Sequence, residues 1–301
     1  YGDETCTYDT GLTKLSEAVQ KAVSGSTIHM MSQYASSADE TVDVPAGKNI
    51  TVSRYKDFKD ASMFSITGGT FKVNVTDATS SITFDGNKIE TKVNEGGAFN
   101  ANGGSINFKG ADKSGGGKTI TIQNNIISSS SASAYGGGVC IYENTTLLGT
   151  MNITGNTAKA GSISSDSDLH LNSGYTVALN DGSGGTLSTD SQIGVITSVA
   201  PTTSTPVQFA TNATEEMKAC FTADGGNYMV KYKDSGLYLG VITTYSDLYY
   251  KEGEFYSDSA CSNSTGITKM SEAVASMTSS GKIHMLSQYA SSADETVTVL
   301  S

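Results

Sequence analysis

The sequence predicts an all-β fold, a right-handed parallel β-helix (a solenoid) with a short α-helix that caps its N-terminal end. Two observations carry this prediction. Short strands with an alternation of apolar and polar residues recur along the chain without helical interruption, and the residues between them are rich in Ser, Thr, Gly and Asn. In a solenoid each coil stacks on the previous one, so inward positions are aliphatic and outward positions are polar.

The clearest strands are five or so residues long and lie between about residue 27 and residue 242. At roughly 22 to 30 residues per coil, this stretch would make about seven to ten coils. The strands with the strongest alternation are Asn49–Val52, Phe71–Val75, Ser81–Phe84, Ser105–Phe108, Thr119–Ile122 and Met151–Thr154.

The composition supports short strands and tight turns. The chain has 42 Ser, 37 Thr and 33 Gly, so 112 of its 301 residues are small, while Pro occurs three times and Trp is absent. With 37% hydrophobic residues it can still bury a core. The net charge of −11, with Arg54 as the single arginine, excludes a nucleic-acid-binding surface. No apolar run is long enough for a membrane span, so we expect a soluble fragment without membrane insertion.

A helical pattern opens the chain at about residues 13–24. Thr13 is the candidate N-cap and Gly25 the candidate stop, which places the helix near Lys14 to Val23. Its apolar face is formed by Leu15, Ala18, Val19 and Ala22.

An internal repeat shows how the chain is organised. Thr10–Val42 aligns without a gap with Thr265–Val297 at an offset of 255, and 23 of the 33 positions are identical. We therefore predict one complete module at residues 1–255 and the start of the next module at 256–301, taken from a tandem array. Near-identical modules in series supply reach or multivalency more often than chemistry.

Two short motifs recur in the strand region. The first has the form FxxN and occurs at Phe84–Asn87, with Ile in place of Phe at Ile122–Asn125 and Ile153–Asn156. The second is Gly96-Gly97-Ala98, with a related Gly-rich stretch at Gly136–Val139. Together they resemble the right-handed β-helix regions of polymorphic-outer-membrane-protein-like surface adhesins.

The ends of the module resemble those of large repetitive cell-surface proteins of Gram-positive bacteria, as in the Ser16–Tyr34 stretch. Both resemblances imply an extracellular, cell-surface location and a host or matrix glycan or protein as ligand. They imply no cofactor.

Residues that would support catalysis are few. Asp166 and Asp168 would share a strand face, and His170 could complete a site, but a solvated turn at Ser164–Asp168 and an outward-facing strand histidine are the favoured interpretations. The single Arg54 gives little basis for a lyase. His29 and His284 are one position in two copies and match no metal-ligand spacing. We therefore predict no catalytic, cofactor or metal residues.

The aromatic residues near the module end allow two interpretations. They would form a sugar-stacking platform or, as we favour, pack the joint between modules. They are Tyr245, Tyr249, Tyr250, Phe255 and Tyr256.

The cysteines predict a disulfide across the joint. Cys140 lies in an apolar strand and is expected to be a free core thiol. Because Cys6 and Cys261 are equivalent positions, we predict that Cys220 bonds Cys261 and that Cys6 pairs with the equivalent of Cys220 in a preceding module. Such a bond implies an oxidising, extracellular compartment.

The sequence thus favours a non-catalytic, secreted or cell-surface, adhesin-like module displayed in tandem, with neighbouring copies of the same module among its partners. The alternative is a structural stalk, filament or surface-layer module. A carbohydrate-active enzyme is less favoured.

Overall fold

A parallel β-helix of about seven turns forms the first part of the molecule, as the alternating strands predicted. The computed structural model describes residues 11–112, 117, 119–130, 134–224, 228–265 and 267–290. The chain divides into two compact units, Tyr1–Gly240 and Val241–Ser301. None of the described helices is long and apolar enough to cross a membrane.

The first unit contains one α-helix, one turn of 3₁₀ helix at Glu216–Cys220 and 24 strands among its described residues. In chain order these are α1 Leu15–Lys21, β1 Thr27–Met30, β2 Tyr34–Ser36, β3 Glu40–Val44, β4 Asn49–Arg54, β5 Phe64–Ile66, β6 Thr70–Val75, β7 Ser81–Asp85, β8 Glu90–Thr91, β9 Phe99–Ala101, β10 Ser105–Lys109, β11 Ile120–Gln123, β12 Ile126–Ser129, β13 Val139–Ile141, β14 Thr145–Leu148, β15 Met151–Ile153, β16 Thr157–Ala160, β17 Ile163–Asp166, β18 Leu169–Leu171, β19 Val177–Ala178, β20 Gln192–Thr197, β21 Val207–Thr211, β22 Phe221–Ala223, β23 Tyr228–Lys233 and β24 Gly236–Val241.

Most of the strands line up on three faces, and β8, β12, β16 and β17 form a further four-stranded sheet. The first face runs β1, β4, β7, β11, β15, and the second runs β2, β5, β9, β13, β18. β20 pairs with both β15 and β18, so it joins the two faces. With β22, which also pairs with β20, they form one 12-stranded sheet. The third face is an eight-stranded sheet that begins with β3, β6, β10 and β14. Strands of successive coils are parallel, so that Ile82 pairs with Ile50 on one side and Ile120 on the other.

The core is a column of apolar side chains that stack from coil to coil. Its centre is a cluster of phenylalanines, in which the ring centroids of Phe64 and Phe99 are 4.7 Å apart and those of Phe84 and Phe99 are 4.8 Å apart. Phe71 and Phe108 complete the cluster, and all five are at most 1% exposed. Offset and edge-to-face ring pairs of this kind add to the stabilisation from burial alone.

Helix α1 caps the N-terminal end of the β-helix, as predicted, but it is shorter than the predicted range. It packs on β3, where Glu40 Oε1 accepts a hydrogen bond from Ser16 N (3.1 Å). Leu15 and Val19 are its buried residues. The N-cap is Lys14 without a side-chain hydrogen bond, so Thr13 is not the capping residue that the sequence predicted.

The C-terminal end of the β-helix is closed by antiparallel strands. β21 pairs with β24 in antiparallel orientation, and β23 follows β24 at the edge of the eight-stranded sheet. This change of direction ends the parallel stacking, because a further coil has no parallel strand on which to continue.

The second unit contains the second copy of the repeated sequence and the strands that precede it. Its elements are β25 Tyr245–Lys251, β26 Glu254–Tyr256, α2 Met270–Ala275 and β27 Met277–Met285. α2 and the last residues of β27 lie 255 positions after α1 and β1, so the repeat in the sequence is also a repeat in structure. The module boundary at residue 255, which is defined by the repeat, stays a prediction.

We expect Phe99→Ala to lower the free energy of unfolding by about 3–5 kcal/mol, because it removes a ring that four other phenylalanines contact. Urea unfolding followed by circular dichroism measures this loss. The matched control is Ile163→Ala, since Ile163 is 72% exposed and should change the stability little. A loss below about 1 kcal/mol for Phe99→Ala would contradict the assignment of this cluster as the centre of the core.

Candidate binding cleft

The carboxylate pair that the sequence suggested is separated by the fold. Asp166 ends the exposed strand β17, whereas Asp168 is 4% exposed and accepts hydrogen bonds from Asn156 N and Nδ2, both at 2.8 Å. The favoured solvated turn is therefore wrong for Asp168. β17 folds back antiparallel on β16, so the chain turns inward before Asp168 and the two carboxylates do not share a strand face.

Asp168 belongs to a buried polar ladder that we define as Asn125, Asn156, Asp168 and Asp224. Asn156 Oδ1 accepts from Asn125 Nδ2 (2.9 Å), and Asp224 Oδ2 accepts from Asp168 N (2.7 Å). Two of its members are the asparagines of the IxxN motifs, which therefore hold neighbouring coils together. Gly138 lies beside the ladder, where a Cβ would come within 2.9 Å of Asn156 Nδ2.

Sequence reasoning missed Asp224, which lies 56 residues from Asp168 and follows β22. Burial raises the pKa of Asp168 to about 6 and that of Asp224 to about 7, and the negative charge of Asp168 adds to the rise at Asp224. Both side chains are at most 5% exposed. The pair is thus a structural element of the core and has no open access to a substrate.

His170 faces outward, as predicted, but it is covered. The Tyr135 ring stacks on it at 4.6 Å, and His170 is 1% exposed. Its partner in the adjacent strand is Cys140, and burial lowers the pKa of His170 to about 4 while it raises the pKa of the Cys140 thiol. Both groups are therefore neutral at pH 7. A nucleophilic cysteine requires the opposite, a lowered thiol pKa.

A polar cleft opens on the second face of the β-helix, beside this row of outward residues. Its volume is about 390 Å³. Asn100, which is the neighbour of Cys140 in β9, forms part of its lining. The full lining is Gln33, Asp60, Ala61, Ser62, Val93, Asn94, Glu95 and Asn100.

Hydrogen bonds between loops hold the cleft in shape. Ser62 O accepts from Gln33 Nε2 (3.3 Å), and Ser62 Oγ donates to Glu95 O (3.1 Å). Glu95 Oε1 accepts a hydrogen bond from Tyr142 OH. By contrast, Asn100 Oδ1 is buried and has no hydrogen-bond partner within the described chain. Asn125 Oδ1 and His170 Nδ1 are also buried without such a partner, but these two residues do not line the cleft.

Arg54 joins the loop that carries Ala61 of the cleft to the chain at Gly97, two residues after Glu95. It is 1% exposed and donates through Nη1 to Ala61 O (2.8 Å) and Phe58 O (3.1 Å), and through Nη2 to Gly97 O (2.7 Å). Burial lowers the pKa of Arg54 to about 10, so the group stays charged at pH 7. The planar guanidinium can bond these three carbonyls at once. Its role is therefore structural, and its position is unsuited to act as a lyase base.

The predicted Cys220–Cys261 disulfide is not formed in the structure. Among the described residues no disulfide joins Cys220 to Cys261. Cys220 is buried in the core of the first unit, with Sγ 3.5 Å from Ser188 O, whereas Cys261 lies at a turn in the second unit with φ 52°. Each thiol is positioned by the packing of its own unit. Cys6 lies outside the described residues, so its pairing stays a prediction.

The aromatic residues near the module end pack mainly within the second unit. Tyr250 and Phe255 are buried and their ring centroids are 4.9 Å apart. Tyr249 stacks on His284 at 4.6 Å, and Asp247 Oδ1 lies 2.9 Å from His284 Nε2. Both histidine contacts join β25 to the second copy of the repeated sequence. Among the described residues, no three His, Cys, Asp or Glu side chains are placed to bind a metal ion.

We expect Asp224→Asn to change how stability depends on pH. The unfolded chain releases the Asp168 and Asp224 protons near pH 4, while the folded chain keeps them to about pH 6–7. The contribution of the two groups to stability is therefore greatest below about pH 4 and falls as the pH rises through 7. Asparagine keeps an oxygen for Asp168 N and removes the charge. Relative to the native sequence, the variant should gain on the order of 2 kcal/mol between about pH 4 and pH 8.

Urea unfolding at a series of pH values measures this difference, and the buried His170 contributes equally to both proteins. The control is Asp57→Asn, which changes an exposed carboxylate that is not among the charges acting on Asp168 or Asp224. The prediction would be contradicted if the free energies of unfolding of Asp224→Asn and the native sequence differed by the same amount at all pH values.

Comparison with known proteins gives no relative: no protein-family model, no curated protein and no solved structure matches this chain.

Proposed function

We propose that this chain is a non-catalytic, adhesin-like module of a secreted or cell-surface protein, displayed in tandem, and that its polar cleft binds a neutral carbohydrate. The observation that carries the proposal is Asn100 Oδ1, a buried acceptor in the cleft without a partner in the described chain. A sugar hydroxyl is a donor of suitable size for it.

The chemistry of the lining favours a neutral ligand. Two carboxylates, Asp60 and Glu95, line the cleft, and its lining contains no Lys, Arg or His. Carboxylates accept hydrogen bonds from hydroxyl groups, but they repel uronates and sulfated sugars. Ala61 and Val93 offer small apolar surfaces to the C–H groups of a sugar ring.

The non-catalytic part of the proposal is supported by the state of the reactive groups. Asp168 and Asp224 are buried, and the Cys140 thiol and His170 imidazole are neutral at pH 7. Glycoside hydrolases need two carboxyl groups that flank the bond to be cleaved. Asp60 and Glu95 are the specific observation in favour of an enzyme, since they line one cleft, although Glu95 is already engaged by Tyr142 OH.

A structural stalk is the second candidate function. It is favoured by the pairing of β25 with β27, because this pairing joins the last strands of one module to the first strand of the next. The extracellular location is supported by the tandem repeat and by the resemblance to surface proteins. Burial of Cys140 protects its thiol from oxidation in such a compartment.

An array of neutral, amino-sugar, uronate and sulfated oligosaccharides tests the proposal. We expect the labelled chain to bind neutral oligosaccharides in preference to the charged ones, and Asn100→Val to weaken that binding by about 10-fold, because the acceptor is lost. The control is Asn152→Val, since Asn152 is a half-buried, outward asparagine of β15 on another face.

Bound oligosaccharides are then incubated with the chain, and their reducing ends are measured. Oligosaccharides that stay intact support a binding module. If the native chain cleaves them and Asp60→Asn does not, the proposal is replaced by a glycosidase. Absence of binding to every sugar, or binding that Asn100→Val does not change, would overturn the assignment of the cleft.

A further inference from the structure

Strand β1 has one open edge among the described residues. It pairs with β4 and stands at the end of the 12-stranded sheet. Ser26 O accepts from Thr51 N and Met30 O accepts from Tyr55 N, both at 3.0 Å, so the even-numbered residues of β1 direct their backbone groups toward β4. In a parallel ladder the residues between them, Thr27 and His29, direct their N–H and C=O groups to the opposite side. That side is the open edge.

The second copy of the same strand has a partner at this edge. Lys282–Met285 in β27 lies 255 positions after Thr27–Met30. β25 pairs with it in parallel, with Tyr249 opposite His284 and Tyr250 opposite Met285. Tyr250 O accepts from Leu286 N at 2.9 Å, so His284 also directs its backbone groups toward β25. His284 is the equivalent of His29, so β25 occupies the edge that is open in β1.

The side chains of β25 fit this position as well. Leu248 is 0% exposed and Tyr250 is 3% exposed, and they form a core with Ala273 of α2 and with Ile283 of β27. The equivalents of Ala273 and Ile283 in the first copy are Ala18 and Ile28, which are half-buried there. The first copy therefore carries the surface that β25 covers in the second.

The two copies also share the local fold around this surface. In the second copy Met270 N donates to Tyr289 OH at 2.9 Å. The equivalent pair in the first copy, Leu15 and Tyr34, is joined by a hydrogen bond between the same groups. Helix and strand are therefore held in the same way in both copies, and a strand that fits one fits the other.

We propose that the open edge of β1 is a docking site for the β25 strand, Tyr245–Lys251, of another copy of this module. In a tandem array the last strand of each module would extend the 12-stranded sheet of the next, so modules would be joined by backbone hydrogen bonds as well as by the chain. The docking is independent of the proposed carbohydrate binding. It also explains how the array avoids an exposed strand edge, which promotes aggregation.

The experiment uses the full chain and a fluorescent peptide of residues 243–256. In the chain β25 already occupies β27, so β1 is the site available to the peptide. We expect saturable binding of one peptide per chain, and a peptide with Leu248→Asp and Tyr250→Asp to bind at least about 10-fold more weakly, because both side chains become buried.

Two variants of the chain separate backbone from side-chain effects. His29→Pro removes an N–H group that faces the open edge and leaves the β4 bonds in place, so it should weaken binding by about 10-fold or more. His29→Ala keeps the N–H and loses only ring stacking, so it should bind within about threefold of the native chain. Circular dichroism and thermal unfolding check that both variants fold.

Hydrogen exchange on the native chain gives a second test that needs no variant. We expect the peptide to slow exchange at Thr27 and His29. Absence of saturable binding to about 1 mM would overturn the proposal. Equal binding of the native and the doubly substituted peptide, or equal binding by His29→Pro and the native chain, would also overturn it. Protection at Lys282–Met285 in place of Thr27–Met30 would overturn it too, because this result would indicate strand exchange within the second unit.

Discussion

Direct stacking of each coil on the previous one is the constraint on which the structure depends. Because the backbone ladders are parallel and in register, each inward side chain lies above its counterpart in the coil below, as Ile120 does on Ile82. The column can be filled only if these positions hold apolar residues of matching size. The phenylalanine cluster around Phe99 meets this requirement with rings 4.7–5.4 Å apart for its closest pairs.

Polar groups enter this interior only where their hydrogen bonds are met. Arg54 is surrounded by three backbone carbonyls, and the Asn125–Asn156–Asp168–Asp224 ladder passes hydrogen bonds from one coil to the next. Burial without such partners would cost several kcal/mol per group. Within the described chain the exceptions are Asn125 Oδ1, His170 Nδ1 and Asn100 Oδ1, and Asn100 is the one of these three residues that lines the cleft.

A solenoid must also end, since its last strands have unpaired backbone groups. The C-terminal end of the first unit uses antiparallel strands, and α1 covers β3 at the N-terminal end. β1 has no such cover among the described residues, whereas its repeat in β27 is covered by β25. The same requirement for paired backbone edges therefore connects the fold of one module to the assembly of several.

The sequence by itself determined the strands, the capping helix and the repeat, because each of these is a local pattern of period 2 or 3.6 or a direct identity. It also predicted that Cys140 is buried, although the side chain lies beside His170 in the outward row and outside the main core cluster. It did not determine which residues of different coils meet. Coil lengths vary, from the 24 residues between Thr27 and its partner Thr51 to the 40 between Asn152 and Gln192, and loops of irregular length leave no periodic signal.

Only the tertiary structure therefore brought Asp224 to Asp168, buried the carboxylate expected in a solvated turn, and buried Cys220 in the core of the first unit without a bond to Cys261. It also assembled the cleft from loops of different coils. The physical reason is the same in each case. These contacts depend on how far each loop carries the chain before the next coil stacks, and that distance is decided by the packing of the whole column.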